Sequence, residues 1–334
     1  MNKNKLEDIG FYTLSDKRCR NASVNSPIWR AELLLTDKCN FNCPYCKGLK
    51  KELRGDRNFD ETVGILAWLF ENKLVNVRFS GGEPTLDKNL LDYVMLCKDN
   101  KVKRIAISTN GSANLQYYKE LINCGVNDFS VSLDACCAST ADIMAGKQGQ
   151  YNTVINNIKE LSKLTYVTVG IVFNENNISQ LTETVVLAKE LGVSDIRIIP
   201  SAQYNKENVL EKLQFNFINK YPILKYRLNN HNSGINIRGL SKTDNERCPL
   251  VLDDIAIAGN YHFPCIIYLR EQGKAIGKII NENTGNINNI RKAREVWCMI
   301  HNVQEDSICK KNCLDVCKKY NNKYAKFRKN TYNT

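Results

Sequence analysis

No apolar run in this 334-residue chain approaches the roughly 18 residues a membrane span requires. The first ten residues, Met1 to Gly10, are too charged to hold the apolar centre of a signal peptide. There is no low-complexity tract, no internal repeat beyond a recurring strand–helix unit, and no block of like charge in the central 270 residues. These absences argue against a membrane-spanning helix and a secretory signal, so a cytosolic chain is expected. Wholesale disorder is excluded too: 43% hydrophobic and 25% charged residues suit about two domains with a buried core.

Cysteine is abundant, with 14 residues. In a reducing compartment that number points to metal or cluster ligation or to redox chemistry before a disulfide framework. The formal charge of +12 hints at an anionic partner, but eight of the twelve surplus charges fall in residues 1–30 and 301–334. Charged ends that aid solubility are the simpler account.

From residue 31 to about 200, β-branched runs alternate with amphipathic stretches. Strands are predicted at Ala31 to Thr36, Val75 to Phe79, Arg104 to Ser108, Asp128 to Leu133, Tyr166 to Phe173 and Asp195 to Ile199. The intervening helices include one capped by Asp60 with Val63, Leu66, Leu69 and Phe70 inward, then Leu115 to Cys124, Tyr151 to Leu164 and Ile178 to Leu191. Crossovers of this length allow parallel pairing. The expected fold is α/β, a partial (β/α)6 TIM-like barrel with its chemistry at the strands' C-terminal ends, followed by a small cysteine-rich α+β domain. Regularity fails after Pro200, Gln203 to Asn245 is polar, and six of the cysteines follow residue 247. The expected division is an extension at 1–30, the barrel at 31–240 and the cysteine-rich module at 241–334.

Cys39, Cys43 and Cys46 lie in the loop directly after the first predicted strand. Three thiolates this close can converge on one iron–sulfur cluster. A structural zinc normally takes four ligands, and no fourth Cys or His lies nearby, so a 4Fe–4S cluster with one iron lacking a protein ligand fits better.

With this CxxxCxxC spacing, and Tyr45 before its last cysteine, the chain resembles the radical S-adenosylmethionine (SAM) superfamily. Ser80-Gly81-Gly82-Glu83-Pro84 after the second strand is similar to the family's GGEP element. The resemblance implies that Gly81 and Gly82 let backbone approach the methionyl moiety of SAM and that Glu83 pairs with its ammonium. Ser108 to Gly111, containing Asn110, ends the third strand. Ser132 and Asp134 end the fourth, where similar proteins place a polar residue near the SAM ribose. The fifth resembles the strand that contacts adenine, with Asn174 and Asn177 just beyond it. Together with Pro84 these are the expected SAM-site residues, and the match runs over about residues 31–200. Cys97 and Cys124 read as core thiols, and Cys136 and Cys137 as loop residues near the site.

Cys248, Cys265, Cys298, Cys309, Cys313 and Cys317 form the late group. It resembles the twitch or SPASM extension of radical SAM enzymes, which carries auxiliary iron–sulfur clusters. A full SPASM set has more cysteines and a CxxCxxxxxCxxxC run, whereas Cys309, Cys313 and Cys317 are spaced three and three. One auxiliary 4Fe–4S cluster is therefore expected, on Cys248, Cys265, Cys313 and Cys317, with Cys309 the substitute. Four of the same cysteines would also suit zinc.

The resemblance implies reductive cleavage of SAM to a 5′-deoxyadenosyl radical that takes hydrogen from a substrate, with an external electron donor such as flavodoxin or ferredoxin. The leading expectation is oxidation or crosslinking of a peptide. Alternatives are dehydrogenation of a sugar, aminocyclitol or nucleotide and, from another class, a zinc-stabilised nucleic-acid-binding protein. A molybdenum-cofactor synthase would end in a glycine- and arginine-rich tail, and this chain ends Lys329 to Thr334 without one. Nucleic acid is not expected as a partner, because aromatics are not gathered beside basic stretches apart from Tyr320, Tyr324 and Phe327. Which residues perform catalysis is not legible.

Overall fold

A computed structural model describes residues 16–204, 210, 213–281 and 283–331. The first half of the expected N-terminal extension, part of the polar stretch after Gln203 and the final residues of the tail lie outside them. The described residues fall into two compact units, Leu35–Cys46 with Arg78–Ile237, and Met1–Leu34 with Lys47–Val77 and Arg238–Thr334.

The first of these holds the regular βα succession. Strands β1 (Arg30–Leu34) and β2 (Asn76–Ser80) lead into it, followed by β3 (Arg104–Thr109), β4 (Asp128–Ser132), β5 (Tyr166–Phe173) and β6 (Asp195–Pro200). β3 to β6 pair in parallel in sequence order. Their inward residues, among them Ile107, Phe129, Val131, Val169, Ile171 and Ile198, are fully buried. Runs apolar on both faces are what a parallel sheet covered by helices demands. The α/β class and six-strand succession expected of a partial TIM-like barrel are thus found.

Helices α1 (Asp16–Asn21), α2 (Phe59–Glu71), α3 (Leu90–Asp99), α4 (Leu115–Cys124), α5 (Ala138–Ala145), α6 (Tyr151–Leu164) and α7 (Leu181–Glu190) were largely foreseeable, α1 and α5 excepted. α4 starts where Asn114 accepts from the Gln116 amide and ends at Gly125 with φ of 134°. α2 differs from expectation. Asn58, not Asp60, accepts the Glu61 amide, so the helix begins two residues early and buries Thr62, Ile65, Leu66 and Leu69.

Helix α8 (Pro222–Asn232) lies in a stretch whose polar composition hid it. It is held from a distance. Asp195, fully buried at the start of β6, accepts the Ile223 amide on both carboxylate oxygens, at 3.1 and 3.0 Å, with Pro222 in the first turn. Burial pushes the Asp195 carboxyl up to about 7, opposed by these backbone amides. An acid raised above its unfolded value binds its proton more tightly in the folded state. Its contribution is present below about pH 4 and lost as pH rises through 7. Thermal stability should therefore fall between about pH 4 and pH 7, and Asp195→Asn, which keeps an acceptor for Ile223, should flatten that fall when melting is followed across the range.

In the other unit, β1 pairs in parallel with β7 (Asp254–Ala258), from Arg30 opposite Asp254 to Leu34 opposite Ala258. β7 turns at Gly259 into β8 (Tyr261–Phe263), which pairs with β9 (Gly277–Lys278). Arg30 donates to Asp254 in a buried ion pair. Helices α9 (Ile266–Arg270), α10 (Ile290–Ile300), α11 (Ser307–Asn312) and α12 (Asp315–Thr331) complete it. Arg294 of α10 clamps the unit, donating to the carbonyls of Val251, Asp254, Phe263 and Pro264. Cys19, Ala22, Leu250 and Tyr320 form a small core between α1 and α12. The strand that opens the barrel sequence thus also anchors the cysteine-rich residues, because its parallel partner lies more than 200 positions away. No helix among the described residues is long and apolar enough to cross a membrane.

Candidate functional site

The loop carrying Cys39, Cys43 and Cys46 has no regular secondary structure and is held by its neighbours. The Cys46 amide donates to the Cys43 carbonyl, a turn that brings those two residues round, and the Phe41 amide donates to Cys39 Sγ at 3.4 Å. The Asn42 amide donates to the Ala145 carbonyl at the end of α5. A Cβ at Gly146 would lie 2.1 Å from the Asn42 carbonyl oxygen, so this brace requires glycine. Sequence reading missed Gly146; its only local signal is a glycine just past a helix end.

Gly81 and Gly82 serve the same loop. The Gly82 and Glu83 amides donate at 2.7 Å to the carbonyls of Thr36 and Lys38. A Cβ on Gly81 would lie 2.4 Å from the Thr36 oxygen, and one on Gly82 would lie 2.1 Å from that of Lys38. These glycines therefore permit close approach of backbone to the cysteine loop, where backbone approach to a ligand was expected.

Glu83 is also differently employed. Its buried carboxylate accepts from the Thr109 hydroxyl at 2.7 Å, the Asn110 amide at 2.7 Å, and both the amide and hydroxyl of Thr85. Burial raises its pKa against the pull of these donors. Three of these donors fall on Oε1 and one on Oε2, so the carboxylate locks the end of β3 to the turn that starts at Pro84, itself buried, while Oε2 keeps acceptor capacity. Asn110 carries this onward. Its amide group donates to Asn40 Oδ1 at 2.7 Å, and Asn40 donates to the Ser112 hydroxyl, so the rim of the cysteine loop is tied to β3.

Tyr45 and Asp134 meet. The tyrosine hydroxyl donates to Asp134 Oδ2 at 2.5 Å while the Val172 amide donates to Oδ1 at 2.7 Å. Burial lifts Asp134 to about 6 despite these donors. Asp134 thus pins the cysteine loop to β5. Ser132, at the exposed end of β4, is open to solvent. Asn174 is buried and accepts from the Asn176 amide, while Asn177 bridges the Asp134 and Val172 carbonyls. Both asparagines shape the turn after β5.

Cys39 and Cys46 are exposed and Cys43 is partly so. Burial first, then the negative charges of Asp134, Cys46 and Cys39, push Cys43 up to about 12. Such crowding is relieved when iron binds the sulfurs. A single zinc holds its sulfurs about 3.7 Å apart, from bonds of about 2.3 Å. Among the described residues no set of three cysteine sulfurs lies mutually within 4.8 Å. The three thiols lie near enough to influence one another's charge without being packed around one ion, and three thiolates in one loop suit an iron–sulfur cluster.

The late cysteines gather in the other unit. Cys248 caps a short 3-10 turn at Pro249–Leu252, Cys265 caps α9 with Sγ accepting the Tyr268 amide, Cys309 lies in α11, Cys313 ends it and Cys317 opens α12. Burial and then Cys317 push Cys265 up to about 12; Cys248 is raised by burial and then Cys265, and Cys309 by burial and then Cys265 and Cys248. Cys313 is raised first by its hydrogen bond with Cys317. Five thiols thus feel one another. Burial lifts Cys298 to about 11, with Arg247 and Arg294 opposing, so its surroundings are cationic. Elsewhere, Cys97 is a buried core thiol, and Cys136 and Cys137 sit at the start of α5, both within reach of Gln180 Oε1 at 3.5 and 3.7 Å. Of the aromatics near the basic C-terminus, Tyr320 is buried, Arg20 stacks over Phe327 and Arg328 over Tyr324, which leaves no free platform for a base among these three.

A loop of three spread cysteines at the mouth of a parallel sheet, braced by a glycine pair, defines the class. Residues 33–188 match the model of the radical SAM superfamily. A GTP 3′,8-cyclase of Staphylococcus saprophyticus is 30% identical over 206 residues, 58% of this chain and 55% of that one. An uncharacterized protein of Methanocaldococcus jannaschii is 30% identical over 225 residues, 62% of this chain and 71% of that one. The chain belongs to the radical SAM superfamily, whose cofactors are a 4Fe–4S cluster and SAM. It spans about half the length of the curated cyclases it matches. In fold it is similar to SuiB of Streptococcus suis bound to its precursor peptide SuiA, with TM-score 0.57, 14% identity, and 88% of this chain and 76% of that one covered. It is likewise similar to anSMEcpe with bound AdoMet, with TM-score 0.57, 15% identity and 92% and 96% covered.

Proposed function

We propose that this radical SAM enzyme oxidises or crosslinks a peptide, using an auxiliary 4Fe–4S cluster held by Cys248, Cys265, Cys313 and Cys317. The observation that carries this is the mutual proximity of the late thiols, none of whose triplets is packed for a single ion. A second redox centre suits a net oxidation, since it can take up an electron from the substrate. The likeness in fold extends over 92% of this chain to anSMEcpe, a protein also recorded with a Kp18Cys peptide, which favours a peptide further.

Cys39, Cys43 and Cys46 would hold the first cluster, and Ser132, at the open end of β4, borders the SAM site. Bound there, cluster and SAM supply one-electron reduction and hydrogen-atom abstraction from a substrate C–H bond. The chain's own residues set the geometry. Phe41 supplies an N–H to Cys39 sulfur, Asn40 and Asn110 hold the rim, and the Tyr45–Asp134 pair keeps the loop against β5. The electron donor is of the flavodoxin or ferredoxin class.

A second reading, cyclisation or oxidation of a nucleotide, is favoured by the 30% identity to a GTP 3′,8-cyclase. One experiment separates the two. Enzyme reconstituted anaerobically with iron and sulfide is given dithionite, SAM, and either deuterated peptides encoded near its gene or deuterated GTP. Deuterium in the released 5′-deoxyadenosine from a peptide supports the first reading. Transfer from GTP alone overturns it.

A further inference from the structure

We propose that His301, Asp306 and Cys309 form a site for one divalent ion of the zinc class, separate from the auxiliary cluster; this rests on Cys248, Cys265, Cys313 and Cys317 serving that cluster. Nε2, a carboxylate oxygen and Sγ of the three residues all lie within 4.8 Å of one another. His301 Nε2 and Asp306 Oδ2 are 3.3 Å apart. Bonds of about 2.0–2.2 Å to a tetrahedral zinc place its N and O ligands about 3.3–3.5 Å apart, so this spacing is that of two ligands on one ion. The contact is of ion-pair length but falls short of good hydrogen-bond geometry, so the buried Nε2 keeps its lone pair for an ion that the carboxylate can share.

The surroundings fix all three. Asp306 Oδ1 caps α11 by accepting the Ile308 and Cys309 amides at 2.9 and 2.8 Å, which turns Oδ2 toward His301. The Tyr268 hydroxyl donates to that Oδ2 at 2.8 Å, an orienting partner of the kind that ligating carboxylates use. Trp297 stacks on the imidazole at 4.1 Å between centroids. A mixed N, O and S set suits zinc and excludes magnesium and calcium, which take oxygen ligands. The ion would tie the end of α10 to α11, just ahead of Cys313, and leave a fourth position for water.

Cobalt(II) is the probe, because it takes zinc's geometry and shows its ligands as colour. The reconstituted, chelator-washed full chain should bind one equivalent, with a thiolate-to-cobalt band and the visible bands of a tetrahedral site. His301→Gln and Asp306→Asn, the latter keeping the helix-capping oxygen, should each weaken binding at least about tenfold, and Tyr268→Phe about tenfold. Cys309→Ala should abolish the thiolate band. Iron and sulfide contents should be unchanged in all four variants. The proposal is overturned if wild type takes up no cobalt, or if Cys309→Ala loses a cluster's worth of iron, which would make Cys309 a cluster ligand. Failure of the auxiliary-cluster reading looks different, as wild type would then hold only one cluster's iron whatever cobalt does.

Discussion

Cys43→Ala should lower iron and sulfide by about four each per chain and reduce 5′-deoxyadenosine release to the level seen without reductant. Cys43 is only partly buried in a loop without regular structure, so the folded sheet should survive, with stability within about 1 kcal/mol of wild type. Cys97→Ala provides the contrast. That thiol is fully buried in α3, so its loss should cost about 1–2 kcal/mol in denaturant unfolding and leave iron and activity untouched. Retention of deoxyadenosine release by Cys43→Ala would remove the catalytic assignment of this loop.

Gly82→Ala should have the second largest effect. The added Cβ would meet three backbone atoms, the Lys38 oxygen at 2.1 Å, the Lys38 carbonyl carbon at 2.5 Å and the Asp37 oxygen at 2.6 Å. Backbone atoms cannot rotate aside as a side chain can. The cysteine loop must therefore withdraw, breaking the amide contacts from Gly82 and Glu83. Two lost hydrogen bonds cost about 2 kcal/mol, and a displacement on the order of 1 Å at a reacting centre costs about 10²-fold in turnover. Gly64→Ala is the control. It sits in α2 with nothing within 4 Å of its added Cβ and should stabilise the helix by up to about 1 kcal/mol. If Gly82→Ala turns over SAM as wild type does, the contact with the cysteine loop has no part in catalysis.

Much of the barrel was legible because its signals are local. α6 and β5 appear with the predicted bounds, since hydrophobic period and turn residues report on neighbours in sequence. α8 was illegible for the opposite reason: its start is stabilised by Asp195, 28 positions away, while its own composition is polar. The parallel pairing of β1 with β7 was hidden in the same way, because its two strands lie 224 positions apart.

At the site, the spacing of Cys39, Cys43 and Cys46 and the pair Gly81 and Gly82 stand out in sequence, because closely spaced thiols and a turn that must admit backbone each restrict residue type within a few positions. What Glu83 and Asp134 do did not stand out. Each is a carboxylate that reads as a ligand for SAM, and each also takes donors from distant parts of the chain, Thr109 and Asn110 for one, Tyr45 and Val172 for the other. Sequence alone determined the superfamily to which the chain belongs, since the motifs that carry the resemblance are short and local. Only the tertiary structure decided which polar groups hold the loop, because hydrogen-bond partners are chosen by proximity in space and buried carboxylates take whatever donors the fold brings to them.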